Sequence, residues 1–202
     1  MREQRVLFVD FRDSFSHNLI GLLRLCFRDV ALIDYAVLNQ VAPKDFDLIV
    51  LGPGPGHFSD YSQACLEVRR LRGHVYLLGV CLGHQILGSL YGLSCSRLSS
   101  PLHGRSMVLR NMASLLGVKD LKAQFYNSWA INLVEDKPRG ILMIEDLGFV
   151  VAFFSQGVGA VQFHPESVGT SCPKLVLDKV LDVLYNGHYD LENGRCIRST
   201  HY

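Results

Sequence analysis

An apolar run, Val75 to Val80, ends at Cys81, and the chain passes through Leu82 and Gly83 directly into helix-forming residues that continue from Gln85 to Leu90. The cysteine is flanked by Gly79 and Gly83. This is the layout of a sharp strand-to-helix turn that lifts one side chain out of a sheet. A cysteine at the N-terminus of a helix also has its thiolate favoured by the helix dipole and the free N–H groups there. A lone cysteine in an apolar setting is more often a small buried hydrophobe than a nucleophile. The rest of the chain therefore decides between the two.

The elements around this turn alternate. A strand at Val6–Asp10 precedes a helix from about Ser16 to Phe27, whose Leu19, Leu22, Leu23 and Cys26 repeat at helical spacing. Strands follow at Val30–Tyr35 and Phe46–Leu51, then a helix at about Tyr61–Leu71, then the strand and helix that bracket Cys81. Strand–helix alternation of this kind makes βαβ units and a parallel sheet. After Tyr91 the pattern changes to strand-like runs at Ser106–Arg110, Ile131–Val134, Ile141–Ile144, Phe149–Phe154 and Gly159–Phe163, which fit antiparallel strands added to the sheet. A last helix, Pro173 to Tyr185, carries Leu177, Val180, Leu181 and Leu184 on one face. The expected architecture is α/β: a central, mostly parallel sheet with helices on both faces, plus added antiparallel strands. One domain spans residues 1–202, with a core at about 5–185 and a polar, loosely ordered tail at about 186–202.

Composition removes several classes of function. A net charge of +1 argues against a dedicated nucleic-acid binder. No apolar stretch approaches the ~20 residues of a membrane span, and the N-terminus lacks the apolar region of a secretory signal. The six cysteines (26, 65, 81, 95, 172 and 196) show no paired spacing and no CxxC, so a reduced, cytoplasmic chain is the expectation. Zinc is excluded by the want of a second ligand pair, and no metal or cofactor is expected.

A thiolate nucleophile needs a base, and the base an orienting group. His84 lies inside the helix that starts at the turn, poorly placed to meet the Cys81 sulfur. The better candidate is His164 in Phe163-His164-Pro165-Glu166-Ser167. Pro165 biases His164 toward an extended backbone, where residues two apart project to one side, so Glu166 can hold its imidazole. Alone, the segment reads sooner as a surface turn at a strand end. The third piece is Gly52-Pro53-Gly54-Pro55-Gly56, a rigid loop of little side-chain bulk whose N–H groups suit an oxyanion hole, or else an ordinary tight turn. All three pieces follow strands, and parallel sheets bind ligands at the carboxyl ends of their strands.

Together these residues resemble the class I glutamine amidotransferases: Gly79-Val80-Cys81-Leu82-Gly83-His84-Gln85 is similar to the family's nucleophile motif, and His164-Pro165-Glu166 to its base-and-orienter motif. More narrowly, the chain resembles the glutaminase subunits of anthranilate synthase and aminodeoxychorismate synthase. Asp13-Ser14-Phe15-Ser16-His17-Asn18-Leu19, the glycine–proline loop, His103-Gly104 and Val161 to Ser167 carry that likeness, which runs from about Arg5 to Tyr185. The resemblance implies that Cys81 attacks the glutamine amide, His164 carries the proton and Glu166 orients His164. It implies an oxyanion hole from the N–H groups of Gly54 and Leu82, with Pro55 between the pocket glycines. Gln85, Gly56, Ser128 and Trp129 would contact glutamine.

The chain departs from the family at a few positions, among them Ser16-His17-Asn18, where the family normally has Thr-Tyr-Asn. The family usually has Arg-Tyr-His-Ser-Leu where this chain has Phe125-Tyr126-Asn127-Ser128-Trp129, and Lys where it has Arg105. The resemblance further implies a glutaminase that supplies ammonia to a separate chorismate-using synthase subunit (component I), for anthranilate or aminodeoxychorismate. The alternatives are a stand-alone Cys-dependent γ-glutamyl hydrolase and a degenerate, non-catalytic regulatory subunit.

Overall fold

Strand and helix alternate through the first half of the chain as the hydrophobic periodicity predicts, in a computed structural model that describes residues 1–190 and 195–197, with side chains as far as residue 187. The elements are β1 (Arg2–Asp10), α1 (Ser16–Arg24), β2 (Phe27–Asp34), β3 (Leu48–Leu51), α2 (Ser62–Leu71), β4 (Tyr76–Val80) and α3 (Leu82–Ser89). The second half contributes β5 (Cys95–Val108), α4 (Arg110–Leu116), β6 (Lys122–Ile131), β7 (Ile141–Asp146), β8 (Phe149–Ser155), β9 (Val158–Val161) and α5 (Pro173–Asn186).

Nine of these strands form one sheet in the order β2-β1-β3-β4-β9-β8-β6-β5, with β7 beside β8. The run from β2 to β9 is parallel, and every pairing beyond β9 is antiparallel. β3 and β4 are buried on both faces and read as unbroken apolar runs, as central parallel strands do. Helices cover both faces. On one side α1, α4 and α5 pack Leu19, Leu23, Met112, Leu116, Val180 and Leu181 against Phe8, Val50 and Phe154. On the other, α2 and α3 pack Val68, Leu71, Ile86 and Leu87 against Leu7, Ile49 and Leu77. Full burial of such a side chain contributes roughly 1.5–3 kcal/mol, so each helix is held mainly by its apolar face.

Several boundaries differ from expectation. α1 ends at Arg24, because the chain turns at Leu25–Cys26 to start β2 at Phe27, which is itself buried. Cys26 still lies in the core, just past the helix. Strand character at 106–110 is the end of the much longer β5, and Arg110 already belongs to α4. β6 reaches back from Ile131 to Lys122, so the 125–129 segment is strand, while 132–134 lies outside it. Of the tail, His188–Asp190 (β10) pairs antiparallel with Arg195–Ile197 (β11). The remainder of the tail lies outside the described residues. No helix among the described residues is long and apolar enough to cross a membrane.

Candidate active site

Cys81 sits at the corner between β4 and α3 with φ 55° and ψ −102°. A non-glycine residue in the positive-φ region carries strain of about 1–3 kcal/mol, and such strain persists only where the surroundings fix it. Here they do. The Cys81 N–H donates to the Val161 carbonyl at 3.0 Å, and the Gly83 N–H to the Gly52 carbonyl at 3.2 Å. A Cβ on Gly83 would come within 2.2 Å of the Leu51 carbonyl oxygen, and one on Gly79 within 2.4 Å of the Gly83 oxygen. The two flanking glycines thus let α3 rest directly on the ends of β3 and β4, and the cysteine takes the strained conformation between them.

β9 lies parallel to β4 with Val161 level with Val80, which brings the segment after β9 alongside Cys81. His164, 1% exposed, is in that segment. Its Nδ1 is 2.7 Å from Glu166 Oε1, and the Glu166 side chain is fully buried. The Ser167 N–H donates to the His164 carbonyl at 3.3 Å, so His164-Pro165-Glu166-Ser167 is a turn and not the extended segment expected; it is buried, however, unlike a surface turn, and it sets Glu166 against the imidazole. His164 Nε2 is buried and makes no hydrogen bond of ordinary length to the described residues. Burial disfavours the imidazolium, but the charge and hydrogen-bonding capacity of Cys81 and Glu166 outweigh it and hold the His164 pKa well above the usual histidine value.

The loop carrying His164 is tied to β6 by a residue that no motif pointed to. The Gln124 carbonyl accepts from the His164 N–H at 2.9 Å, and its side-chain oxygen accepts from the Gly169 N–H at 2.9 Å and from the Ser167 hydroxyl. Phe15 and Tyr126 then pack on the imidazole, with ring centroids 5.3 and 5.1 Å away. Phe15 is placed by its N–H donating to the Asp13 carboxylate at 2.8 Å, which accounts for the Asp13-Ser14-Phe15 signature at the start of α1.

The glycine–proline loop completes the corner. The Gly54 N–H has no partner among the described residues, and Leu82 opens α3, where the N–H has none within the helix. A Cβ at Gly54 would come within 2.4 Å of the end of the Leu82 side chain and 2.6 Å of Phe11 Cβ, so the missing side chain lets the loop pack against both residues. Beside them opens a cleft of about 360 Å³, lined by Asp13, Gly54, Pro55, Gly56, Cys81, Leu82, Gln85, Arg97, His103, Tyr126, Asn127, Ser128 and Trp129. Every lining residue named from the sequence is there. The Gln85 amide donates to the Trp129 carbonyl at 3.0 Å and to the Gln162 side chain at 3.1 Å, and the Asn127 amide donates to the same Trp129 carbonyl at 2.9 Å. Arg97 is new: it lies on β5 opposite Trp129, outside every recognised segment.

His84 is not part of this group. It is fully buried, with its ring 5.2 Å from Phe153 on the core side of α3. Burial drives its pKa down to about 3 against the opposing influence of the Gln162 amide. A histidine neutral in the fold but protonated when unfolded below about 6.5 withdraws stability as pH falls from about 6.5 toward 3, by up to about 1.4 kcal/mol per unit. His164 has the opposite sign: its contribution is full below 6.5 and is lost as pH rises through its raised value. Urea unfolding measured between pH 4 and 7 should show an acid-side decline that His84→Gln flattens. Parallel curves for the two proteins would assign the decline elsewhere.

Residues 7–183 match the family described as glutamine amidotransferase class-I. An anthranilate synthase component 2 of Archaeoglobus fulgidus is 30% identical over 90% of this chain and 99% of its own length. An aminodeoxychorismate synthase of Streptomyces pristinaespiralis is 32% identical over 84% of this chain, which spans only 25% of that longer protein. The crystal structure of a GMP synthase component from Thermoplasma acidophilum superposes with a TM-score of 0.73, covering 91% of this chain and 96% of its own at 17% identity, and so shares the fold. The chain belongs to the class-I glutamine amidotransferases.

Proposed function

We propose that this amidotransferase domain is a working glutaminase that delivers ammonia to a chorismate-using synthase subunit. The observation that carries the reading is the buried His164–Glu166 pair beside a strained Cys81, at a cleft of amino-acid size. Arg97 and Asp13 put opposite charges in that cleft, which suits a zwitterionic head group. The glutamine amide carbon would be attacked by the Cys81 thiolate, with the oxyanion held by the N–H groups of Gly54 and Leu82. As the tetrahedral adduct collapses, the C–N bond breaks and His164 protonates the leaving nitrogen, which departs as ammonia. Water, deprotonated by His164, then attacks the thioester, releasing glutamate and regenerating the thiol. Glu166 holds the imidazole in the tautomer with its proton on Nδ1 and stabilises the imidazolium. Every step uses side chains and backbone of this chain and water, without a cofactor.

The names of the relatives support the synthase partnership, and two full-length relatives at about this length, from Archaeoglobus fulgidus and Pseudomonas aeruginosa, are anthranilate synthase component 2 proteins. The test is glutaminase turnover of the pure chain, measured alone and with a component I synthase subunit. Slow turnover alone and faster turnover in the complex is expected. Full turnover without any partner would replace the subunit reading with a stand-alone γ-glutamyl hydrolase, and no turnover in either state would leave a non-catalytic subunit.

A further inference from the structure

β6 is held at its two ends by different partners. At Ile131 it pairs with Val150 of β8, its single register pair with that strand. Toward its other end Gln124 pairs with His164 in an antiparallel bridge, although β8 separates β6 from β9 in the sheet order. The histidine backbone is thereby set by β6 as well as by β9. The His164 N–H donates to the Gln124 carbonyl at 2.9 Å, and the His164 carbonyl accepts from the Thr170 hydroxyl at 2.6 Å. That hydroxyl accepts in turn from the Gln124 N–H at 3.0 Å. Both backbone polar groups of His164 therefore lead to one residue.

The loop between His164 and Thr170 turns outward, with Val168 fully exposed, and the Gln124 side chain reaches across to hold it. Its oxygen accepts from the Gly169 N–H at 2.9 Å and from the hydroxyl of Ser167, a buried residue. Its amide nitrogen donates to the Gly104 carbonyl at 3.1 Å. Gly104 has φ 69° and lies at the irregularity of β5 between His103 and Arg105, where a bulge re-aims the strand. Glycine at position 169 makes the room: a side chain there would overlap the Gln124 oxygen and the Ser106 hydroxyl. An apolar side chain at position 124 would leave the buried Ser167 hydroxyl and the Gly169 N–H without this partner, a cost that a shift of the loop relieves.

Resting on the glutaminase reading above, we propose that Gln124 is a positioning residue for His164. It clamps the 164–170 loop between β6 and the β5 bulge, and so fixes the imidazole where the reaction needs its base. Gln124 lies outside the cleft lining and acts through the histidine. Its loss therefore lowers turnover without weakening the binding of glutamine.

The test is steady-state release of glutamate from glutamine by the chain with a component I synthase subunit present, with urea midpoints to establish that each variant is folded. Gln124→Met keeps the length and bulk of the side chain and none of its hydrogen bonds. Its kcat should fall at least ~10-fold, toward the ~10²-fold that a misplacement of about 1 Å costs a reacting group. KM for glutamine should stay within about twofold, the pattern of an interaction made only in the transition state. Gln124→Glu keeps the accepting oxygen and should recover most of the lost kcat, a rescue that bulk alone would not give. Ser167→Ala removes one of the same hydrogen bonds, so in the double variant its loss should overlap with that of Gln124→Met and not multiply. Unchanged kcat in folded Gln124→Met overturns the proposal, as does a raised KM with kcat intact, and both leave the glutaminase reading in place. A Gln124→Glu variant no faster than Gln124→Met, or losses that multiply, also overturns it. No glutamate from the unsubstituted chain, with or without the synthase subunit, removes both.

Discussion

If the proposed partnership holds, Cys81→Ser should abolish glutamine-dependent synthesis by the complex of this chain with a chorismate-using synthase subunit, while added ammonium salt supports synthesis at the unmodified rate. Loss of a nucleophile in a triad lowers turnover on the order of 10⁶-fold, so residual glutamine use should be undetectable in a steady-state assay. Near-normal use of glutamine by the variant would remove Cys81 from the chemistry. The same residue should be the one labelled by a glutamine-like alkylating agent. Among the other described cysteines, burial pushes the Cys26 thiol up to about 11 and Cys95 up to about 12, and raises Cys65 as well. These three stay protonated and unreactive. Cys172 is exposed but does not line the cleft, so it serves as the control for non-specific alkylation. Peptide mass spectrometry separates the outcomes.

His164→Ala comes second in size. Under the proposed mechanism it removes the group that takes and returns the proton, a contribution of ~10²–10⁴-fold, and it should slow thioester formation and hydrolysis together. Glu166→Ala should be milder, because the imidazole remains and only its tautomer and charge stabilisation are weakened. Glu166→Gln separates those two effects: an amide oxygen can still accept from Nδ1 at the observed 2.7 Å, but it lacks the charge. Ordered losses, His164→Ala greater than Glu166→Ala and Glu166→Ala at least equal to Glu166→Gln, are expected in single-turnover kinetics. Equal and negligible effects would reduce the pair to a structural hydrogen bond.

Much of this arrangement was legible in residues that carry local physics. The Gly79–Cys81–Gly83 spacing predicts a strand-to-helix corner, and the corner is there. Pro165 predicts Glu166 beside the His164 imidazole, and their hydrogen bond is there, although it forms across a buried turn and not along an extended segment. What spacing does not reveal is which strands lie side by side. Val80 and Val161 are neighbours only because β9 pairs with β4, and no local pattern near either residue states this. Gln124 escaped for the same reason: its partners at His164, Ser167 and Gly169 are distant in sequence, and a lone glutamine in a strand carries no signature. α4 was missed although its signal was present. Leu109, Met112, Ala113 and Leu116 recur at helical spacing and are all buried, and Gly117 follows in the left-handed conformation that ends helices. The reach of β5 was hidden differently. Its irregular pairing with β6 between Arg97 and Leu102, and again at His103–Arg105, breaks the two-residue alternation by which strands are recognised.

The conformation of Cys81 also bears on how such a chain evolves. At φ 55° and ψ −102° a side chain is a liability, and glycine is the one residue that adopts this geometry without penalty. A lineage released from the need for ammonia therefore feels two forces at position 81 that point the same way, relaxed purifying selection and a gain in folding stability from losing the thiol. Under the glutaminase reading, a cysteine at this corner is opposed to that drift by the use made of its sulfur.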